Sequence, residues 1–477
     1  MNIPGSAPTP AAGLRAAALT ALLAGLVCAC SSDHGPPSVL LVSVDTLRRD
    51  HCSVYGYERD TTPRLRAFAE QGVRFESAYA PMGLTGPSHA TLFTSLYPLR
   101  HGVVNNGLVL REELTTLAEY LAARGYQTAG VASSFVLARK FGFGQGFAFY
   151  DDAFDPAEAT TELDEWEGHV VDEAFDRRGD HTTRRAKDWL VNQRDPERPF
   201  FLFVHYFDPH SPYQAPEPAG VRFAAALENP HELESLVAAY DGEILFVDSA
   251  IGGLLDALDE LNLTANTLVI VSADHGEGLM QRGYVLHGIS VHEEEVRVPL
   301  LMRWPAGLRG GRAIEEPVEL RDVMPTLAEL LGFEPAEDAF GGQSLAGALR
   351  GSGSLPPQRP IYLQRRHFRP GKLRPDFIEK LPDGRAVPFI SVEGEQFALR
   401  RGRWKLILAP DEAAPKLYDL RSDPEERIDL AVAELQHSVR LRKQLEAWIE
   451  AQRGGAAAAG RVSEQDRARL RALGYTD

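Results

Sequence analysis

Three uninterrupted apolar stretches, residues 38–44, 200–207 and 267–272, decide what kind of sheet this chain builds. They are rich in Val, Leu, Ile and Phe and lack the polar–apolar alternation of a half-exposed strand, as expected of strands buried on both faces of a parallel sheet. Helical patterns fall between them. Residues 62–72 open on Thr62-Pro63 and stop at Gly72, residues 114–124 form a second, and residues 236–261 carry an apolar face of Ile244, Val247, Ile251, Leu254, Leu255 and Leu258. Strands alternating with helices imply a doubly wound, mostly parallel α/β sheet. Such sheets bind ligands beyond the carboxyl ends of their strands. There the first stretch ends in Asp45, the second runs into Asp208-Pro209-His210, and the third delivers Asp274-His275-Gly276-Glu277.

A fourth stretch supplies a hydroxyl. In Leu84-Thr85-Gly86-Pro87-Ser88-His89, a threonine stands before a Gly-Pro that opens an apolar, helix-permissive run. Proline is tolerated in a first helical turn, which puts Thr85 at a helix N-terminus, where backbone N–H groups and the dipole favour an anion. On this stretch alone Thr85 reads as a helix cap; beside the strand-end residues it reads as a nucleophile.

The chain has 477 residues and a net charge of −17, which argues against nucleic acid as a partner. Residues 1–30 read as an export signal, with Arg15 followed by an apolar run too short to span a membrane. Residues 31–37 are a tether and 38–333 a catalytic α/β domain. Residues 334–453, in shorter segments around a hairpin at 397–407 and a helix at 433–452, form an α+β subdomain with a small antiparallel sheet. Residues 454–477 are a connector and tail. Past Cys30 only Cys52 remains, so the mature chain has no disulfide framework.

Asp45, Thr85, Asp208, His210, Asp274, His275 and His287 mix carboxylate, imidazole and hydroxyl, a set suited to zinc or another transition metal, whereas calcium prefers oxygen ligands. A divalent ion on Thr85 would lower its hydroxyl pKa, and two ions would hold the attacking and leaving oxygens of an in-line displacement.

The order of short motifs resembles the sulfatase family of the alkaline-phosphatase superfamily. The markers are Val42-Ser43-Val44-Asp45-Thr46-Leu47-Arg48, Pro87-Ser88-His89-Ala90-Thr91, Tyr97-Pro98-Leu99-Arg100-His101-Gly102, Tyr240-Asp241-Gly242-Glu243 with Asp248, and Ser272-Ala273-Asp274-His275-Gly276-Glu277. Val298-Pro299-Leu300, Asp322-Val323-Met324-Pro325-Thr326-Leu327 and Tyr418-Asp419-Leu420 follow. The resemblance implies a metal-dependent hydrolase of sulfate or phosphate esters, acting on a small-molecule or glycan ester. It implies zinc, one or two ions, with calcium or manganese as alternatives.

Three departures stand out. Family sulfatases place at position 85 a Cys or Ser that becomes formylglycine; Thr85 cannot form that aldehyde. The paired Asp of the first strand is here Asp45-Thr46, and the sulfate-holding Lys and His are not evident near Ser133-Ser134. Superfamily members with an unmodified Thr, such as the nucleotide phosphodiesterases and envelope phosphoethanolamine transferases, work with zinc, and residues 274–288 resemble the transferases. By that likeness Asp45, Thr85, Asp274 and His275 hold the nucleophile's metal, and His210 and His287, with Asp208, hold a second metal or the substrate anion. His210 or His287 protonates the leaving oxygen, and His89 orients the ester oxygens. The reaction expected is attack by Thr85 through a covalent threonine ester, favouring phosphodiesters or phosphonate esters. A transferase acting on envelope glycans and an inactive glycan-binding lipoprotein are the alternatives. Val27-Cys28-Ala29-Cys30 resembles a bacterial lipoprotein signal, implying a lipidated Cys30 and attachment to the membrane in the periplasm or at the outer membrane.

Overall fold

The computed structural model describes residues 1–2, 5, 35–160, 174–226, 232–333, 340–373, 380–381, 384–409, 414–455 and 463–472. The expected export signal with Cys30, and most of the connector, lie outside the described residues.

The apolar stretches become neighbouring strands. β1 (Ser38–Val44), β2 (Val73–Phe75), β3 (Gln127–Val131), β4 (Phe149–Asp151), β5 (Phe200–Tyr206), β6 (Thr267–Ala273), β7 (Leu300–Arg303) and β8 (Arg312–Ile314) form one sheet. Its order is β8-β2-β7-β6-β1-β5-β3-β4. The strands from β6 to β4 run parallel, while β7 is antiparallel to both neighbours. β5 and β6 are buried along their whole length, and β1 is buried but for Ser38.

Helices cover the sheet in two groups. α1 (Pro63–Glu70), α4 (Gly179–Asp188) and α5 (Glu232–Glu260) pack together, α5 in contact with both others. α2 (Thr85–Thr94) packs with α3 (Leu117–Ala122) and α6 (Val323–Leu330). Every residue of α2 is buried, so it serves as a core element rather than as an amphipathic surface helix.

Register places the site. Val44 pairs with Tyr206 on one side and Ala273 on the other, so Asp45 and Asp274 leave the sheet at the same level on adjacent strands. One step earlier, Ser43 pairs with His205, and successive side chains alternate between faces. The turn after β1 is strained: Thr46, β-branched, has φ = +52°, a conformation disfavoured for such residues. Its carbonyl accepts from Tyr240 Oη at 2.7 Å, and its N–H reaches Asp274 Oδ1 at 3.3 Å.

A second sheet is antiparallel: β9 (Pro360–Leu373), β10 (Ile390–Arg401), β11 (Trp404–Leu408) and β12 (Lys416–Asp419), in that order. Phe397, Leu399, Leu406 and Leu417 pack against Leu441, Leu445 and Ile449 of α7 (Leu435–Gly454). β9 is a strand that apolar patterning does not reveal. Arg365-Arg366 and Pro370-Gly371 fall within it, and its pairing with β10 is irregular between Arg365 and Gly371.

The second sheet is fastened to the catalytic domain by a buried charge. Lys405 of β11 donates to Glu293 Oε1 at 2.9 Å and lies 3.0 Å from Glu426 Oε1, with its side chain fully out of solvent. The two carboxylates hold the Lys405 ammonium above its usual range despite burial. Removing one partner of a buried ion pair strands the other charges. Lys405→Met is therefore expected to destabilise the protein by about 3–5 kcal/mol, read as a lower urea midpoint; an unchanged midpoint would show that the pair does not hold the seam.

Candidate active site

Asp45 and Asp274 bring two carboxylates to one buried spot, and His275 joins them. His275 Nε2 lies 3.5 Å from Asp45 Oδ1, 3.5 Å from Asp274 Oδ2 and 3.3 Å from Thr85 Oγ1. The Thr85 hydroxyl is thus turned toward the strand-end cluster, and no side chain caps α2. The N–H groups at the start of α2 contribute less to anion binding than the motif suggests: that of Gly86 is taken by Asn106 Oδ1 at 2.8 Å, and Pro87 has none. Gly276 is required behind the cluster, since a Cβ there would stand 2.0 Å from the Glu294 carbonyl oxygen.

The imidazoles sort by their partners. A carbonyl oxygen only accepts, so a ring nitrogen bonded to one carries the proton. His275 Nδ1 donates to the Gly276 carbonyl at 2.9 Å, and His210 Nδ1 to the Ser211 carbonyl at 2.9 Å. His287 Nδ1 faces Glu277 Oε1 at 3.3 Å. His275 and His210 thus carry a proton on Nδ1 and turn Nε2 into the site, whereas the Glu277 carboxyl, which burial pushes up to about 8, can accept from His287 Nδ1 or donate to it. The ring of His287 lies 4.5 Å from that of His275 and 4.9 Å from that of His210. Burial holds His210 well below the usual histidine range and His287 down to about 4, Arg366 adding to the effect on His287. Both are neutral at pH 7, so they serve as acceptors or ligands there, and either would protonate a leaving oxygen only after taking up a proton during the reaction.

His89 differs. Its Nδ1 donates to the Thr85 carbonyl at 2.8 Å and its Nε2 meets Ser43 Oγ at 2.9 Å. Fully buried within α2, it ties that helix to β1, with both ring nitrogens hydrogen-bonded. Asp208 also stands apart from the expected set. Its carboxyl turns toward Glu243 of α5 and Asp176, and burial pushes it up to about 7. Glu277 accepts from Tyr213 Oη at 3.2 Å, and its carbonyl accepts from Arg48 Nη1 at 3.0 Å.

His205 escaped sequence reasoning. It lies in the apolar stretch of β5, where one histidine reads as core, yet its Nε2 comes within 3.5 Å of Asp45 Oδ2. Its pairing with Ser43, two residues before Asp45, was the available signal. Arg366 of β9 is a second: it donates to Asn105 Oδ1 at 3.3 Å and brings a cation toward His287.

Two overlapping groups could hold a metal ion among the described residues: Asp45, Asp274 and His275, and Asp274, His89 and His205. The first fits. Both oxygens of Asp45 and Oδ2 of Asp274 are buried without a hydrogen-bond donor, and His275 offers a free lone pair. The second is poorer because His89 Nδ1 carries a proton. Neither group contains His210, His287 or Asp208.

A hydroxyl beside buried carboxylates and imidazoles, at the carboxyl edge of a parallel sheet, defines a metal-assisted ester hydrolase of the α/β class. The Sulfatase family profile matches residues 37–333, and the chain belongs to that family. It is similar to human Arylsulfatase A, 29% identical over 456 residues covering 86% of each chain. To an Arylsulfatase of Clostridium perfringens it is 27% identical, over 61% of this chain and 74% of the relative. Among solved structures, BT4656 in complex with its substrate D-glucosamine-2-N,6-O-disulfate aligns with TM-score 0.68 at 19% identity, over 88% of this chain and 98% of that one. Ps i-CgsB in complex with k-i-k-neocarrahexaose aligns with TM-score 0.68 at 19% identity, over 92% and 98%. The protein is a sulfuric ester hydrolase of a family whose members depend on a divalent metal, and Asp45, Asp274 and His275 form a cluster that could hold one.

Burial pushes Asp45 up to about 7, with His275 and the Thr85 hydroxyl opposing. Without metal the folded state keeps a proton there that the unfolded chain releases near the ordinary value of about 4. Metal-free stability therefore falls as pH rises from about 4 to about 7, and a bound cation displaces that proton. The melting-temperature rise on adding saturating Zn²⁺ or Ca²⁺ to chelated protein is expected to be larger at pH 8 than at pH 5. Equal rises at both pH values by scanning calorimetry would contradict this.

Proposed function

We propose that the protein cleaves tetrahedral oxyanion esters with the unmodified Thr85 hydroxyl as nucleophile, and that phosphodiesters or phosphonate esters are accepted alongside or ahead of sulfate esters. The observation that carries this reading is Thr85 Oγ1, 3.3 Å from His275 Nε2 at the edge of the buried Asp45–Asp274 pair. Asp45, Asp274 and His275 would hold one divalent cation, whose charge lowers the hydroxyl pKa and offsets the charge of the ester.

Thr85 Oγ1 bonds to the central sulfur or phosphorus as the ester oxygen departs, leaving a threonine ester. His287, neutral and in the tautomer that donates from Nδ1 to Glu277, accepts the Thr85 proton on Nε2 and returns it to the departing alcohol. Water then attacks the threonine ester, its proton passing by the same nitrogen back to Thr85 Oγ1. Arg366, near His287, supplies positive charge at the site's edge, as an anionic substrate requires. Positioning belongs to His89, which fastens α2 to β1. That BT4656 and Ps i-CgsB were solved with sugar ligands supports a glycan ester as substrate. A lipidated Cys30 would hold the enzyme at the bacterial envelope, where such esters occur.

The test is a panel of aryl sulfate, phosphate monoester, phosphodiester and phosphonate ester, with metal-loaded wild type and Thr85→Ala. Thr85→Ala is expected to lose about 10³-fold or more in kcat/KM on every ester the wild type cleaves, with a covalent adduct on Thr85 trapped by mass spectrometry in the wild type. Added acceptor alcohol should not appear in the products; its incorporation would make the enzyme a transferase. Equal turnover by both proteins would remove Thr85 from the reaction.

A further inference from the structure

At the seam between the C-terminal sheet and a short three-stranded sheet of the catalytic domain (residues 78–79, 297–298 and 318–319) lies a cavity of about 400 Å³ that contains none of the residues around Thr85. Tyr79, Glu293 and Arg297 line it from the catalytic side, and Arg400, Arg403 and Arg421 from the C-terminal sheet and the turns beside it. Four guanidinium groups, charged at any working pH, thus face one carboxylate, and that carboxylate is spent. Glu293 Oε1 is bonded to Lys405 and Oε2 to Tyr79 Oη at 2.8 Å.

The arginines differ in how far they are satisfied. Arg403 pairs with Asp419 at 2.6 Å, and Arg297 Nη2 donates to the Glu76 carbonyl at 2.7 Å. Arg400, however, sits 5.0 Å over the Tyr79 ring, and its buried Nε and Nη1 meet no acceptor among the described residues. Arg297 Nε is buried in the same condition. Arg421 forms no side-chain ion pair among the described residues. A buried donor left without an acceptor costs free energy, and this concentration of positive charge occurs in a chain of net charge −17. Guanidinium groups match the oxygens of sulfate and phosphate, and the volume is within the range of small-ligand sites.

We propose that this seam cavity is a second anion site, binding a sulfate- or phosphate-sized tetrahedral oxyanion that bridges the two sheets. The anion comes either as the free ion or as an ester group on a glycan. Binding at the seam is independent of the reaction proposed for Thr85.

Calorimetric titration of the metal-loaded protein tests it, with inorganic sulfate, inorganic phosphate, a sulfated disaccharide and its unsulfated parent as ligands. Saturable sulfate or phosphate binding should persist in Asp45→Asn, whose change is confined to the active site. It should weaken about tenfold or more in Arg400→Gln/Arg421→Gln. Should that double variant fold poorly, Arg421→Glu, a change at an exposed side chain, should still weaken binding several-fold. Tighter binding of the sulfated disaccharide than of inorganic sulfate assigns the site to an ester group; equal affinity assigns it to the free ion. Anion affinity unaltered by the arginine substitutions, abolished by Asp45→Asn alone, or never saturable overturns the proposal.

Discussion

Two carboxylates forced into one dry space are the constraint to which the rest of the active site answers. Asp45 and Asp274 end adjacent parallel strands at the same level, are essentially inaccessible to water, and keep three oxygens without donors. Isolated charges in such a setting are costly unless paired or bound to metal. A divalent cation held by Asp45, Asp274 and His275 would balance them and set its charge against the Thr85 hydroxyl. The strain at Thr46 and the glycine at 276 are local costs that keep the two strand ends in this arrangement.

The surrounding fold holds that arrangement rigid. α2 is buried on all sides and tied through His89 to Ser43 and to its own first turn, so Thr85 is borne by a core helix. The C-terminal sheet contributes at two places. Through Lys405 it is fastened to Glu293 and Glu426, and through β9 it extends Arg366 toward His287. The same seam gathers the four arginines around the second cavity, so the junction is where this chain concentrates positive charge against an acidic whole.

Much of this was legible before any coordinates, for physical reasons. Parallel strands buried on both faces must be apolar, and the residues just past their ends must lie at the ligand edge, so Asp45, Asp274 and His275 announced themselves. Thr85 did so through the Gly-Pro helix start. For Asp208, strand-end position fixes where the residue sits but not where its side chain turns, and its buried carboxyl lies beside Glu243 of α5. His205 was hidden because an imidazole inside an apolar strand has the same local pattern whether it packs or ligates; only the pairing of β5 with β1 separates the two. β9 was hidden because its long pairing with β10 sustains a strand through Arg-Arg and Pro-Gly steps that read as a break.

One divalent cation, shared by Asp45, Asp274 and His275, is expected to lie against the Thr85 hydroxyl, and anomalous diffraction from metal-loaded crystals would locate it. A strong peak bounded by those three side chains and Thr85 Oγ1 is expected, lost in Asp274→Ala crystals grown in the same metal. A peak between His89 and His205 with none beside Thr85, or no peak at full metal loading, would contradict it.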